Sequence, residues 1–134
     1  MLRAAGELAD GVITVFAGPK ALESLIVPTV TAAASVAPRI VVGANVSVSD
    51  DPETARRWLV ELMPQFGRFP SYRSVLDLDG RASPADSLVV GDEKAVERHL
   101  RDLFDAGATE VIATPFGPPN ALARTTALLS ALID

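Results

Sequence analysis

The sequence predicts an α/β fold built from parallel βα units. Two observations carry this. Short β-branched runs alternate with segments of helical periodicity along the chain. One pattern is also used twice, as AAGELADGVITVFAGPKAL near the start and DAGATEVIATPFGPPNAL near the end. Each copy ends a helix, passes a glycine, runs through β-branched residues to a Phe, meets Gly-Pro and opens a new helix. Repetition of such a unit fits a (β/α)8 barrel, and it also fits a doubly wound sheet with an anion at its first strand-to-helix turn.

Each element follows from its own residues. Leu2 to Leu8 reads as a helix end broken near Gly6 or Gly11. The run near 12–16 is a buried strand, with Val12, Ile13, Thr14 and Val15 bounded by glycines. Gly18-Pro19 opens a helix, since proline suits the first turn, and Pro28 breaks or restarts it. RIVVGANVSVS is the strongest strand, near 40–48. Its first half is apolar on both faces; its second half alternates Ala44, Val46 and Val48 with Asn45, Ser47 and Ser49. Asp50-Asp51-Pro52-Glu53 starts a helix whose stripe includes Ala55, Trp58, Leu59, Leu62 and Met63. The stretch 64–90 reads as a long loop with turn centres at GRFPSYR and DGRASPAD. Gly91-Asp92 caps a helix carrying Val96, Leu100, Leu103 and Phe104. A strand near 110–114 and a last helix after Pro118-Pro119-Asn120 complete the chain. The whole of 1–134 reads as one domain.

Composition narrows the function classes. The chain has 134 residues, 49% hydrophobic and 22% charged, enough for a packed core. Its formal charge of −5 offers no basic footprint for nucleic acid. It contains no cysteine, which excludes disulfides and thiolate metal sites and fits a cytoplasmic protein. No leader and no apolar run of membrane-spanning length is expected.

Several segments resemble, in order, the closing part of the luciferase-like monooxygenase family. They are AGELADGVI, VSVSDDPETAR, FPSYRSVLDLDG and VVGDEKAVERHLRDLFDAGATEVIATPFG. The nearest flavour is the branch that uses the deazaflavin coenzyme F-420 rather than FMN. The resemblance implies the C-terminal portion of a (β/α)8 TIM barrel, present as a fragment, a mis-started frame or a shortened paralogue. It implies hydride transfer between reduced F-420, or alternatively FMN, and a small organic substrate. The alternative is a non-catalytic half-barrel module acting as a structural or interaction protein.

In such barrels the site lies at the C-terminal strand ends. Thr14, Gly18 and Lys20 stand where similar enzymes bring hydroxyl, N–H and ammonium groups to the cofactor phosphate. A glycine admits close approach, a helix start favours an anion, and lysine adds charge. Tyr72 and Arg73, in the long loop over the barrel mouth, are expected to border the substrate. Asp92 is expected as a plain helix cap. His99, the one histidine, lies between Arg98 and Arg101 on a solvated helix position and has no catalytic partner. Asp50, Asp51 and Glu53 are explained as cap and dipole partners without a metal. Trp58 and Phe104 are expected in helical core stripes. No catalytic triad, metal motif or phosphate-binding P-loop is present, which suits an enzyme whose cofactor supplies the chemistry. Three parallel strands leave two open edges and bare apolar faces, so a homo-oligomer is expected, a symmetric dimer above all.

Overall fold

The computed structural model describes residues 1–63, 65 and 68–133; Pro64, Phe66, Gly67 and Asp134 lie outside the described residues. The elements run α1 (Leu2–Leu8), β1 (Gly11–Val15), α2 (Pro19–Ala21), a π turn (Leu22–Ile26), α3 (Val27–Ala33), β2 (Arg39–Val48) and α4 (Pro52–Leu62). Then come α5 (Pro70–Leu78), a 3-10 turn (Pro84–Ser87), β3 (Val89–Gly91), α6 (Glu93–Asp105), β4 (Glu110–Pro115) and α7 (Pro119–Ile133).

β2 is the axis of the sheet, and every pairing is parallel. Residues of a strand face alternate edges for hydrogen bonding. Arg39 and Ser49, an even number of residues apart, donate their N–H groups to Asp10 and Gly91. β1 and β3 therefore share one edge of β2, end to end. β4 occupies the opposite edge, over Val41 to Val46. Beyond β4, the Val48 N–H has no strand to meet, and it donates instead to Thr125 Oγ1 at 2.8 Å. That hydroxyl donates in turn to the Ala121 carbonyl of α7.

One face of the sheet is closed by helices. Ile40, Val42, Ala44, Val46 and Val48 alternate onto it and pack against Leu22, Ile26, Val30, Val96, Leu100 and Leu103. Each large aliphatic side chain buried here contributes about 1.5–3 kcal/mol. A second, smaller cluster joins Ala55, Leu59, Ala85, Leu88 and Val90, with Met63 and Phe116 against it. The opposite, inner face is bare at its lower end: Ile13 is 68% exposed and Ile112 51%. Beside them Arg39 and Glu110 form a two-bond ion pair, both bonds 2.6 Å.

Two local alternatives are decided and two expectations are corrected. Gly6 does not break α1; a Cβ there would lie 2.5 Å from the Val30 carbonyl oxygen, so the glycine lets α1 and α3 touch. Pro28 restarts its helix, standing in the first turn of α3. The preceding turn widens to π geometry and the helix continues through Ala33. The 64–90 stretch is not one loop: it contains α5, the 3-10 turn and β3. Tyr72, Val75 and Leu76 stand at helical spacing there, but the flanking prolines and Gly80 hide the period between turn signals. Trp58 and Phe104 are well exposed. Each follows or precedes a buried leucine by one residue, and about 100° of helical rotation carries it off the stripe.

Candidate active-site cleft

The C-terminal ends of β1 and β4 and the middle of β2 open into a cleft of about 220 Å³. Paired residues of parallel strands share a face, so the register places Val15, Gly43 and Ile112 in one inner row and Asn45 and Thr114 in the row above. Phe16, Met63, Tyr72 and Ser87 close the cleft around them. The floor is thus apolar and the upper tier carries an amide and a hydroxyl.

Phe16 follows β1 with φ of 63°, a left-handed conformation that a bulky residue adopts at a cost of about 1–3 kcal/mol. The turn holds its ring buried, edge-on to Tyr72, with centroids 5.2 Å apart and planes at 85°. Phe69 meets Tyr72 in the same edge-on manner at 5.9 Å. Tyr72 therefore stands at the rim of the cleft.

The other expected site residues part company. Thr14 pairs with Val42 on the helix-facing side, and its hydroxyl is buried there without a hydrogen-bond partner among the described residues. Gly18 is buried, and its N–H donates to Asp79 Oδ2 at 2.7 Å. The Lys20 and Ala21 N–H groups donate to Asp79 Oδ1 at 3.0 and 3.2 Å. The start of α2, where a cofactor phosphate was expected, thus holds a carboxylate of the chain itself. The Lys20 side chain is exposed. Arg73 does not face the cleft. It ties α5 to the following turn through Asp77 and the Arg81 and Ala82 carbonyls. Asp92 accepts from the Ala95 N–H at 2.8 Å, a plain helix cap, and His99 is exposed.

The β4–α7 turn is built differently. Gly117 adopts φ of 119°, and a Cβ there would come 3.1 Å from Ser47 Oγ. Ser47 is fully buried, with its hydroxyl unpartnered among the described residues. One turn into α7, Arg124 spans two carboxylates: Nε and Nη2 reach Glu93, each at 3.0 Å, and Nη1 reaches Asp50 at 3.0 Å. These bonds hold the guanidinium above its ordinary value, Glu93 first and Asp50 second, and hold the Glu93 carboxyl below its own. The hydroxyl and N–H of Thr54 likewise lower Asp51. Among the described residues no group of His, Asp and Glu gathers as a metal site, and no helix is long and apolar enough to cross a membrane.

Sequence reasoning missed Asn45, Asp79 and Arg81 as site residues. The signal for Asn45 was present, since the alternation in β2 puts a polar residue on the face opposite Ala44 and Val46. Asp79 lies 61 residues from Gly18, and no local pattern announces such a contact.

A family model described as luciferase-like monooxygenase matches residues 1–127. No curated protein matches. Among solved structures, an F-420-dependent secondary alcohol dehydrogenase in complex with an F-420–acetone adduct superposes with TM-score 0.67 at 16% identity, over 99% of this chain and 46% of that one. The coenzyme F-420-dependent tetrahydromethanopterin reductase from Methanopyrus kandleri gives 0.60 at 19%, over 96% and 46%. The oxygenating constituent of 3,6-diketocamphane monooxygenase from Pseudomonas putida, in complex with FMN, gives 0.60 at 21%, over 96% and 43%. The chain spans less than half the length of each. The parallel α/β sheet accordingly has the fold of a portion of a luciferase-like TIM barrel.

Proposed function

Because the chain belongs to the luciferase-like monooxygenase family, we propose that it forms part of an oxidoreductase moving hydride between reduced coenzyme F-420, or alternatively FMN, and a small organic substrate. The observation that carries this is the cleft at the strand ends, with Asn45 and Thr114 above an apolar floor and Tyr72 at its rim. A flavin or deazaflavin ring needs that combination: an apolar bed, polar groups for its carbonyl and ring N–H edge, and an aromatic wall. The cofactor supplies the hydride chemistry. The chain's own residues orient the ring and exclude water from one side of it.

Of the residues expected at the phosphate, Lys20 keeps an exposed cation for that role. The Gly18 backbone is available only when Asp79 leaves it, and the Thr14 hydroxyl points into the helix layer. On the substrate side Tyr72 stays and Arg73 is replaced by Asn45 and Thr114. A cytoplasmic location and a homodimer that covers the inner face around Ile13 and Ile112 complete the reading.

Fluorescence titration of the 134-residue chain with F-420 and with FMN tests it. Saturable binding at tens of micromolar or tighter is expected for one of them, weakened by Asn45→Leu. Absence of binding to either defeats the cofactor reading for this chain. One observation favours the alternative, a non-catalytic interaction module: the β1–α2 turn is already filled by Asp79.

A further inference from the structure

We infer that Asp79 is a latch that fastens α5 across the strand ends, a positioning residue that sets the width of the cleft through Tyr72. The start of α2 has a glycine where a capping side chain ordinarily stands, so its first N–H groups lack a local acceptor. Asp79 supplies one from 58 to 61 residues away, taking three N–H groups on one carboxylate whose side chain is only 4% exposed. Arg81 seals it: its guanidinium lies 3.9 Å from Asp79 and donates to the Phe16 carbonyl at 3.1 Å.

Gly18 is shaped for this pair. A Cβ at residue 18 would lie 2.6 Å from Arg81 Nη2 and 2.8 Å from Asp79 Oδ1. The glycine at the turn thus admits a carboxylate and a guanidinium of the same chain. At the other end of α5, Tyr72 meets the Phe16 ring. Both ends of the helix are therefore pinned to one six-residue segment, 16–21. The C-terminal pin adds a charge-assisted contact to the burial of Leu76 and the packing of Val75 against the core, and such bonds are stronger than neutral ones and depend on alignment. Releasing Asp79 frees α5 to swing and takes the wall of the cleft with it.

The test is hydrogen exchange, read amide by amide, on wild type, Asp79→Ala, Asp79→Asn and Gly18→Ala. Asp92→Ala serves as a control that removes an ordinary helix cap. Loss of the charged bonds should raise local opening of residues 18–21 and 70–79 by about tenfold or more, with β2 and β4 unchanged. Gly18→Ala should reproduce this with the carboxylate still present. Asp79→Asn should fall between, because an amide oxygen accepts more weakly than a carboxylate. Asp92→Ala should open only the start of α6. The idea is overturned if α5 exchanges as in wild type in both Asp79→Ala and Gly18→Ala. It is equally overturned if β2 opens as much as α5, or if all three variants lose the fold. A second arm rests on the cofactor reading: F-420 or FMN dissociation constants should rise about tenfold in Asp79→Ala, the loss of the cleft wall outweighing the N–H groups freed at the start of α2, and stay unchanged in Asp92→Ala. If wild type binds neither cofactor, that reading fails and exchange alone decides the latch.

Discussion

VITVFAGPKAL and VIATPFGPPNAL end the first and last strands with almost the same residues, yet the two turns are put together in opposite ways. In the first, the strain falls on Phe16, whose ring is driven back over the strand ends, and the helix start is filled by Asp79 from a distant segment. In the second, Gly117 takes the positive φ without a side chain to place, and the nearby hydroxyl of Ser47 stays unpartnered among the described residues. Beyond it, Arg124 gathers Glu93 and Asp50. One turn is closed by a carboxylate reaching inward and the other by an arginine reaching outward. The same local sequence therefore fixes the path of the backbone, while the long-range partner decides what the turn holds.

The largest expected effect removes what the turns share. Both hang on β2, and Val46 is fully buried at its centre, paired to Val89 and Pro115. Val46→Asp should abolish cooperative unfolding, because a carboxylate without a partner is forced into the helix-facing core. Circular dichroism with a urea titration reads this directly; a soluble variant with a normal transition would mean β2 is not the axis of the sheet.

Two substitutions then strike the β4 side and spare the other. Thr125→Val removes the acceptor for the Val48 N–H and should cost about 1–3 kcal/mol, the usual penalty for a buried donor left unmade. Gly117→Ala should cost about 1–3 kcal/mol, through the positive φ and the close approach to Ser47. Urea midpoints measure both. Hydrogen exchange at residues 18–21 should not respond to either, and a response there would show that the turns are coupled through the sheet.

A smaller effect concerns pH. Glu93 is held below the ordinary carboxylate value of 4.5, first by its hydrogen bond from Arg124. A lowered folded-state pKa contributes stability that is present above the unfolded value and is lost as pH falls through the folded one. The difference in melting temperature between wild type and Arg124→Met should therefore be largest above about pH 5 and shrink toward pH 3. These groups are solvent-exposed, so the difference should also shrink in high salt. A difference that grew on acidification would reverse the assignment.

How much of this was legible in the sequence divides along the same line. The parallel βα order was readable because β-branched runs and helical stripes have distinct periods, and the repeated turn was readable because it is local. The polar tier of the cleft was half visible: the alternation around Asn45 fixes its face, but only strand pairing brings Thr114 beside it. α5 was hidden because Pro70 and Gly80 are turn formers that also serve as the start and stop of a helix. Asp79 was invisible. Its role depends on a contact across some 60 residues, and an aspartate before a glycine reads as an ordinary turn.

The smallest effect separates the two turns most finely. Lys20 is exposed, and among the described residues its ammonium pairs with no carboxylate. Only its backbone takes part in the latch, and alanine keeps that backbone. Lys20→Ala should accordingly change the stability of the chain by no more than about 0.5 kcal/mol, unlike the loss of Arg124. Its effect on ligand binding depends on the state of the turn. If a cofactor phosphate reaches the start of α2, Lys20→Ala weakens binding by about 1–2 kcal/mol, the value of one charge-assisted contact. That loss should be larger in an Asp79→Ala background, where the carboxylate no longer competes for the N–H groups beside it. A double-mutant cycle with F-420 and FMN measures the coupling. A coupling energy near zero, with Lys20→Ala silent in both backgrounds, would place the phosphate away from the first turn and leave that turn to the latch alone.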